Sequence, residues 1–551
     1  MRYTENFIKL YEQSLRDNFE LPALSDYGTD VSFTYKELAI EIEKIHDLFT
    51  EQGIHPGDSI ALVGKNSAYW GVIFLATVTY GAVIVPILQD FHPHDIQHIV
   101  NHSDSVLFFA SDSSLKDLDE SQMPALKMIY SFSGKQLNNR KESENLSARL
   151  TDQFNKKYPN GFNREMINYT EFPNKNVAIL NYTSGTSGFS KGVLITGDNL
   201  IGNIIYAQRT MPLEKGNTML SLLPLAHAYG CTFEFLFPLS KGCHITLLGK
   251  TPAPNVLMKA FEEIKPNLII SVPLILEKIY KNTIVPVINK PLIKIALKLP
   301  GLNAAIYSSV RKKLIHAFGG KFNQIVIGGA PLNKDVEEFF LKIGFPVSVG
   351  YGMTECAPLI SFSLYSDYTP LSCGKVLPNL EVRIDSPDPY LIAGEIQVAG
   401  QNVMQGYYKN GEETQHAFTV DGWLKTGDLG TMDKNNDIFI RGRSKCMILS
   451  SSGQNIYPEE IEAKLNNFPY VIESLVISKN NRLIALVYPD YDAIRAAGLS
   501  TGEDLKKVML ENKEALNSMV ASFEKIAEIQ LCENEFEKTP KRSIKRYLYT
   551  D

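Results

Sequence analysis

The sequence predicts an α/β protein: a large N-terminal domain of parallel α/β sheets plus a small β-barrel, followed by a small α+β domain. Three observations lead there. From Phe33 to Val349, short β-branched runs alternate with stretches of helical length, the pattern of strand–helix–strand units covered on both faces. From Cys373 to about Gly442 the runs shorten, and Gly394, Gly400, Gly406 and Gly422 punctuate them, as in an antiparallel barrel or sheet. The last hundred or so residues carry their own strands and helices, enough for a separate unit.

The first helix is expected from Phe33 to about Gly53. Thr34 caps it with Glu37 three residues on, and Leu38, Ile40, Ile42, Ile45 and Leu48 recur at helical spacing. Ser59-Ile-Ala-Leu-Val-Gly64 reads as a strand. From Ser67 to Gln89 there is no charge, a length that could cross a bilayer. Gly81 and Pro86 interrupt it, so it is read as a buried helix, a glycine turn and a buried strand. A helix from His94 to His102 and a strand from Ser105 to Ala110 follow. Residues 111–174 are polar and are expected at the surface. Strands are also expected at 177–180, 244–248, 267–272, 324–327 and 346–349, with an apolar helix after the turn at 221–230. Near the end, a helix at 457–465, strands at 474–477 and 483–487, and a helix near 505–515 complete the reading.

Bulk properties narrow the class. The chain has 551 residues, 44% of them apolar and 21% charged, an ordinary globular composition. A net charge of −6 gives no ground for nucleic acid as a partner. Six cysteines form no Cys-x-x-Cys pair, which argues against a zinc or disulfide framework and for a reducing compartment, the cytoplasm. Met1 to Asn6 has no signal-peptide character.

The most telling stretch is Asn181-Tyr-Thr-Ser-Gly-Thr-Ser-Gly-Phe-Ser-Lys-Gly-Val193. Thr183, Ser184, Gly185, Thr186, Ser187 and Gly188 offer backbone and hydroxyl donors without bulk, and Lys191 adds a cation, as a polyphosphate requires. The spacing is not that of the common P-loop. A linker would not sit between two apolar runs. Farther on, Tyr351-Gly-Met-Thr-Glu355 combines an aromatic face for a base, a hydroxyl in Thr354, and in Glu355 a hard oxygen ligand for Mg²⁺. Gly328-Gly-Ala-Pro331 permits close backbone approach to a flat ring. Asp428, in Lys425-Thr-Gly-Asp-Leu429, suits two ribose hydroxyls. Arg441-Gly-Arg-Ser-Lys445 follows.

In this order and spacing, these segments resemble the adenylate-forming superfamily of acyl-CoA ligases, luciferases and peptide-synthetase adenylation domains. The resemblance covers most of the chain. It implies an N-terminal AMP-binding domain over 1–444 and a mobile C-terminal domain over 445–551, with Lys445 as hinge; Cys446 departs from the acid usual at the next position. It implies ATP contacts by the 183–188 loop, Lys191, Gly329, Ala330, Pro331, Tyr351, Gly352, Asp428 and Arg443, with Thr183 and Glu355 holding Mg²⁺. Thr354 and Glu355 join the catalytic set. His227, in Pro224-Leu-Ala-His-Ala-Tyr229, matches a histidine lining the acyl and pantetheine channels. Gly453 matches the loop that approaches coenzyme A. One catalytic lysine is expected in Lys538-Thr-Pro-Lys-Arg-Ser-Ile-Lys-Arg546. Lys545 fits the Ile-Lys-Arg form of long-chain ligases, with Lys541 as the alternative.

The implied reaction activates a carboxylic acid as acyl-AMP and transfers it to coenzyme A. Val272-Pro-Leu-Ile-Leu-Glu-Lys-Ile-Tyr280 and Phe318-Gly-Gly320 resemble the long-chain fatty-acid branch. Alternatives are a medium-chain or aromatic acid, an acyl-carrier-protein acceptor, or a non-catalytic sensor. Residues 281–321 interleave lysines with Leu and Ile and hold no acid, as suits peripheral contact with an anionic membrane on its inner face.

Overall fold

The computed structural model describes residues 1–132, 135–138, 141–183, 191–250, 253–449, 455–479, 482–539 and 543–549. Ser184, Gly185, Thr186, Ser187, Gly188, Gly453 and Lys541 therefore lie outside the described residues.

Two sheets form the frame. One has seven strands in the order Val347–Val349, Gln324–Ile327, Leu268–Ser271, Thr218–Ser221, His244–Leu247, Pro22–Asp26, Ser32–Thr34. All its pairings are parallel except the last. The other has nine strands. It centres on Val83–Ile87, Ser59–Val63 and Ser105–Ala110 and is edged by Gly406–Tyr407.

Local chemistry fixes the helices between them. Helix Tyr35–Glu51 begins with a full capping box: Thr34 accepts from the Glu37 N–H, and Glu37 reaches back to the Thr34 N–H. Such a cap stabilises the helix by about 1 kcal/mol. Helix Ala68–Tyr80 is capped by Ser67 and ends at Gly81, whose φ of +86° is a conformation glycine adopts without a Cβ clash. Strand Val83–Ile87 follows, buried along its whole length. The uncharged 67–89 run is thus core. Among the described residues, no helix is long and apolar enough to cross a membrane.

The expectation for residues 111–174 needs correction, because much of this segment is structural. Strand Met128–Ser131 extends the nine-stranded sheet in parallel, and Lys135–Asn138 and Lys141–Asn145 add to its edge. Helix Leu146–Lys157 buries Leu146, Leu150 and Phe154. These three lie four residues apart, one narrow apolar stripe in a polar segment. Arg149 and Lys157 then pair with Glu51, Glu43 and Asp47 of the 35–51 helix.

From residue 373 to 443 the pairing is antiparallel, as expected. Leu380–Asp385, Gly394–Gly400, Leu424–Met432 and Ile438–Arg443 form a four-stranded sheet. A bridge between Lys375 and Asp437 ties it to the small sheet of Tyr351–Gly352, Leu359–Phe362 and Lys375–Val376. The C-terminal part has a three-stranded sheet, Val471–Lys479, Arg482–Pro489 and Ile526–Leu531, with helices Pro458–Leu465 and Glu503–Met519. Its core, including Ile461, Leu465, Val476, Leu505 and Leu516, is separate from the others. Contacts with the rest of the chain include polar ones. Asn333 Nδ2 donates to the Ala463 carbonyl at 2.8 Å, Asn467 to Asp335 at 3.0 Å, and Lys281 to the Val471 carbonyl at 2.7 Å.

Candidate active site

Strands 218–221, 268–271, 324–327 and 347–349 run in one direction. The segments that leave them, 222–227, 328–331 and 350–355, therefore gather at one edge, where open α/β sheets bind ligands. Glycine is required at two points there. A Cβ on Gly328 would meet the Tyr229 ring at 2.9 Å, and one on Gly352 would overlap the Pro358 carbonyl oxygen. Gly329 has φ +84° and, with Ala330 and Pro331, is exposed, so this wall is open to a ligand.

Tyr351, Asp428 and Arg443 form one cluster. The Tyr351 hydroxyl donates to Asp428 Oδ2 at 2.7 Å, and Arg443 Nε lies 2.9 Å from Asp428 Oδ1. Strand register creates the second contact, since Asp428 and Arg443 are cross-strand partners. Burial raises the Asp428 carboxyl above its ordinary value, against the opposing pull of Arg443 and Tyr351. Burial, reinforced by Asp428, also raises the Tyr351 phenol well above its ordinary value, so it remains a donor at neutral pH. Each Asp428 oxygen has one named partner and keeps a lone pair for a further hydroxyl.

A second chain of contacts runs from Glu355. Its Oε1 accepts from the Tyr407 hydroxyl at 3.0 Å. Tyr407 is held by pairing of its strand with Lys191–Thr196, and the Lys191 ammonium lies 5.2 Å from the Tyr407 ring centroid. Lys191 also forms an ion pair with Glu413. Thr183 faces Lys191 across the antiparallel pair 177–183 and 191–196. Residues 184–190 thus connect two paired strands.

The donor set fits Mg²⁺. Glu355 is half-buried with a neutral phenol as hydrogen-bond partner, which leaves oxygens for a hard cation. Among the described residues no group of three or more His, Cys, Asp or Glu could hold a metal alone. Mg²⁺ is commonly held by one or two carboxylates with substrate phosphates completing the shell.

His227 caps a short helix, its Nδ1 accepting from the Tyr229 N–H at 3.3 Å. The segment before it is anchored on three sides. Asn66 accepts from the Leu225 N–H at 2.9 Å and donates to the Leu223 carbonyl at 2.6 Å. Asn181 donates to the Ala226 carbonyl at 3.0 Å. Glu234, on a π-helical turn over Cys231–Leu236, accepts from the Leu222 and Leu223 N–H groups and the Ser221 hydroxyl.

Burial pushes the Glu234 carboxyl up to about 8, although those three donors favour its ionised form. The folded state therefore holds a proton that the unfolded chain releases. This stabilisation is complete below the ordinary carboxylate value and is lost as pH rises through about 8. Glu234→Gln is expected to flatten the decline of Tm between about pH 5 and pH 8. A decline as steep as in the parent protein would assign the titration elsewhere.

Lys545 is paired with a residue outside these clusters. Its ammonium lies 3.5 Å from Glu537, while Arg546 pairs with the buried Glu462. Lys445, in the turn Ser444–Cys446, adds its charge to those lowering the Glu413 carboxyl, after Lys191 and His416. Thr354 is buried beside Glu355. Sequence reasoning missed Tyr407, Glu413, Asn66 and Glu234. Tyr407 had a faint signal, a tyrosine pair after Gly406; the others carry none.

Comparisons with known proteins give the family and the fold. The family model described as "AMP-binding enzyme" matches residues 11–408. The long-chain-fatty-acid–CoA ligase FadD15 of Mycobacterium bovis is 28% identical, covering 90% of this chain and 86% of that protein. The peroxisomal long chain acyl-CoA synthetase 7 of Arabidopsis thaliana is 27% identical, covering 90% and 75%. Among solved structures, ATP-bound MatB from Rhodopseudomonas palustris has a TM-score of 0.76 at 22% identity, covering 99% and 98%. The anthranilate CoA ligase AuaEII with anthranoyl-AMP has a TM-score of 0.80 at 18% identity, covering 100% and 97%. With the family model spanning the two large sheets and the Tyr351–Glu355 turn, the chain belongs to the AMP-binding enzyme family.

Proposed function

We propose that the chain is an AMP-forming acid–thiol ligase that activates a long-chain fatty acid with ATP and transfers it to coenzyme A. The observation that carries the reading is that Tyr351, which joins Asp428 and Arg443, and Glu355, which joins Tyr407 and Lys191, lie on one turn. One group of contacts suits a nucleoside, the other a polyphosphate. In the first half-reaction a carboxylate oxygen attacks the α-phosphorus of ATP, the bond to pyrophosphate breaks, and acyl-AMP remains. In the second, the thiol sulfur attacks the acyl carbonyl, AMP leaves, and the thiol proton passes to solvent.

The chain's residues position and neutralise more than they move protons. Tyr351 stacks on adenine against Gly329, Ala330 and Pro331, with Gly352 giving room. Asp428 and Arg443 hold the ribose. Thr183, the 184–188 loop, Lys191 and Thr354 bind phosphate oxygens. Glu355 and Thr183 would hold Mg²⁺, which supplies charge neutralisation when bound. His227 lines the channel. Lys545 reaches the reacting carboxylate and α-phosphate when the domain 445–551 turns about Lys445, and the Gly453 loop serves the thiol in the other orientation.

The test is acid-dependent exchange of labelled pyrophosphate into ATP over fatty acids of graded length, followed by thioester assays with free coenzyme A and with acyl carrier protein. Exchange rising with chain length and transfer to coenzyme A are expected. Aromatic acids working better, or the carrier protein being the acceptor, would replace the substrate assignment. No exchange with any acid would overturn the ligase and favour a sensor.

Membrane contact is part of the same proposal. Leu292 and Ile295 are 81% and 61% exposed between the exposed Lys290, Lys294 and Lys298. No acid occurs between Glu277 and Asp335. Apolar tips among cations suit an anionic lipid surface. Co-sedimentation with phosphatidylserine vesicles is expected to exceed that with phosphatidylcholine and to fall in Leu292→Glu. Equal binding to both lipids would remove the proposal.

A further inference from the structure

Lys191 opens the strand that follows the 184–190 segment, and on the ligase reading it meets the polyphosphate of ATP. It already has an anion. Its ammonium pairs with Glu413, a residue 222 positions away, and sits against the Tyr407 ring. Glu413 lies in the first turn of helix Gly411–Ala417, and its N–H is capped by Asn410 at 3.0 Å.

The pair makes a poor structural strut. The Lys191 and Glu413 side chains are 24% and 43% exposed, and exposed ion pairs contribute little to folding. The helix does not depend on it either, since Asn410 already caps the turn and the dipole favours an acid there. A second cation is at hand, because Lys445 also stabilises the ionised Glu413. What the pair does is occupy the one side chain of the phosphate segment that carries a fixed positive charge.

We propose that Glu413 is an intramolecular competitor for the polyphosphate end of ATP: it neutralises Lys191 when no nucleotide is bound, yields it to the phosphates, and reclaims it as pyrophosphate leaves. The proposal rests on the ligase reading for the identity of the ligand, and on the Lys191–Glu413–Tyr407 geometry for the competition. A site that re-forms its own ion pair weakens its hold on the polyphosphate of ATP and on the product pyrophosphate alike, and so speeds release of the product.

The test is calorimetric binding of ATP, AMP and inorganic tripolyphosphate to the parent protein, Glu413→Gln, Lys191→Met and the double variant, with Tm verifying the fold. Removing one exposed ion-pair partner frees the lysine, so Glu413→Gln should bind ATP and tripolyphosphate about two- to fivefold more tightly. AMP, which lacks the β- and γ-phosphates, should bind unchanged. In the Lys191→Met background the Glu413→Gln effect should vanish, as a coupled pair requires. Unchanged ATP and tripolyphosphate affinities, an equal gain for AMP, or a gain that survives loss of Lys191 would each overturn the proposal. A parent protein that bound tripolyphosphate but no ATP would sink the ligase reading, and the tripolyphosphate series would still decide the role of Glu413.

Discussion

Lys545→Ala is expected to slow acyl-adenylate formation by about 10²–10³-fold, the cost of losing one well-aimed charge-stabilising donor, while thioester formation from supplied acyl-AMP changes little. The split follows from the C-terminal architecture. In the orientation seen, Lys545 pairs with Glu537 of its own domain. Arg546, one residue on, is fixed to the buried Glu462. Glu462 in turn accepts from the Val476 N–H at 2.6 Å, so the terminal segment moves with its own sheet. On the ligase reading, Lys545 is brought to the phosphate by a turn of that whole unit. The separate core and the side-chain contacts of Asn333, Asp335 and Lys281 are compatible with such a motion. Single-turnover assays of the two half-reactions decide the matter. Equal losses in both would assign Lys545 to stability. A full adenylation rate in Lys545→Ala with loss in Lys541→Ala would transfer the role.

Gly352→Ala is expected to remove about 2–3 kcal/mol of stability, in the range of overpacked interiors, and to lower adenylation about 100-fold, the scale of a misplacement near 1 Å. The chain folds back here: the Met353 N–H donates to the Pro358 carbonyl at 2.9 Å. A Cβ on residue 352 would overlap that same oxygen, and backbone cannot swing aside as a long side chain does. The 351–355 turn must shift, carrying Tyr351, Thr354 and Glu355 together. Gly411→Ala is the control, because a Cβ there meets nothing within 4 Å. Urea unfolding and adenylation rates measure both effects. Parent-like behaviour of Gly352→Ala would show that the turn tolerates the displacement.

Elements with a regular local signal were legible in the sequence. The Thr34 cap and the apolar period after it gave helix Tyr35–Glu51. The uncharged 67–89 run gave a buried helix, a turn and a strand, because Gly81 breaks it where the chain must reverse. The motif at 351–355 pointed to its own chemistry, since an aromatic ring, a hydroxyl and a carboxylate within five residues need no tertiary context to suggest a nucleotide. Residues 111–174 misled because their buried stripe is three side chains in a polar background, a signal that composition averages away.

By itself the sequence determined the alternation of strands and helices, the family resemblance, and the residue types available to a phosphate, a base and a divalent cation. Those are properties of short stretches, where spacing alone decides which side chains share a face. Only the tertiary structure decided that Asp428 lies between Tyr351 and Arg443, that Tyr407 links Glu355 to Lys191, and that Glu413 neutralises that lysine. Such partners are set by strand register and sheet order, which bring together residues from 15 to 222 positions apart. No local pattern marks one acid among sixty-one as the partner of one distant cation.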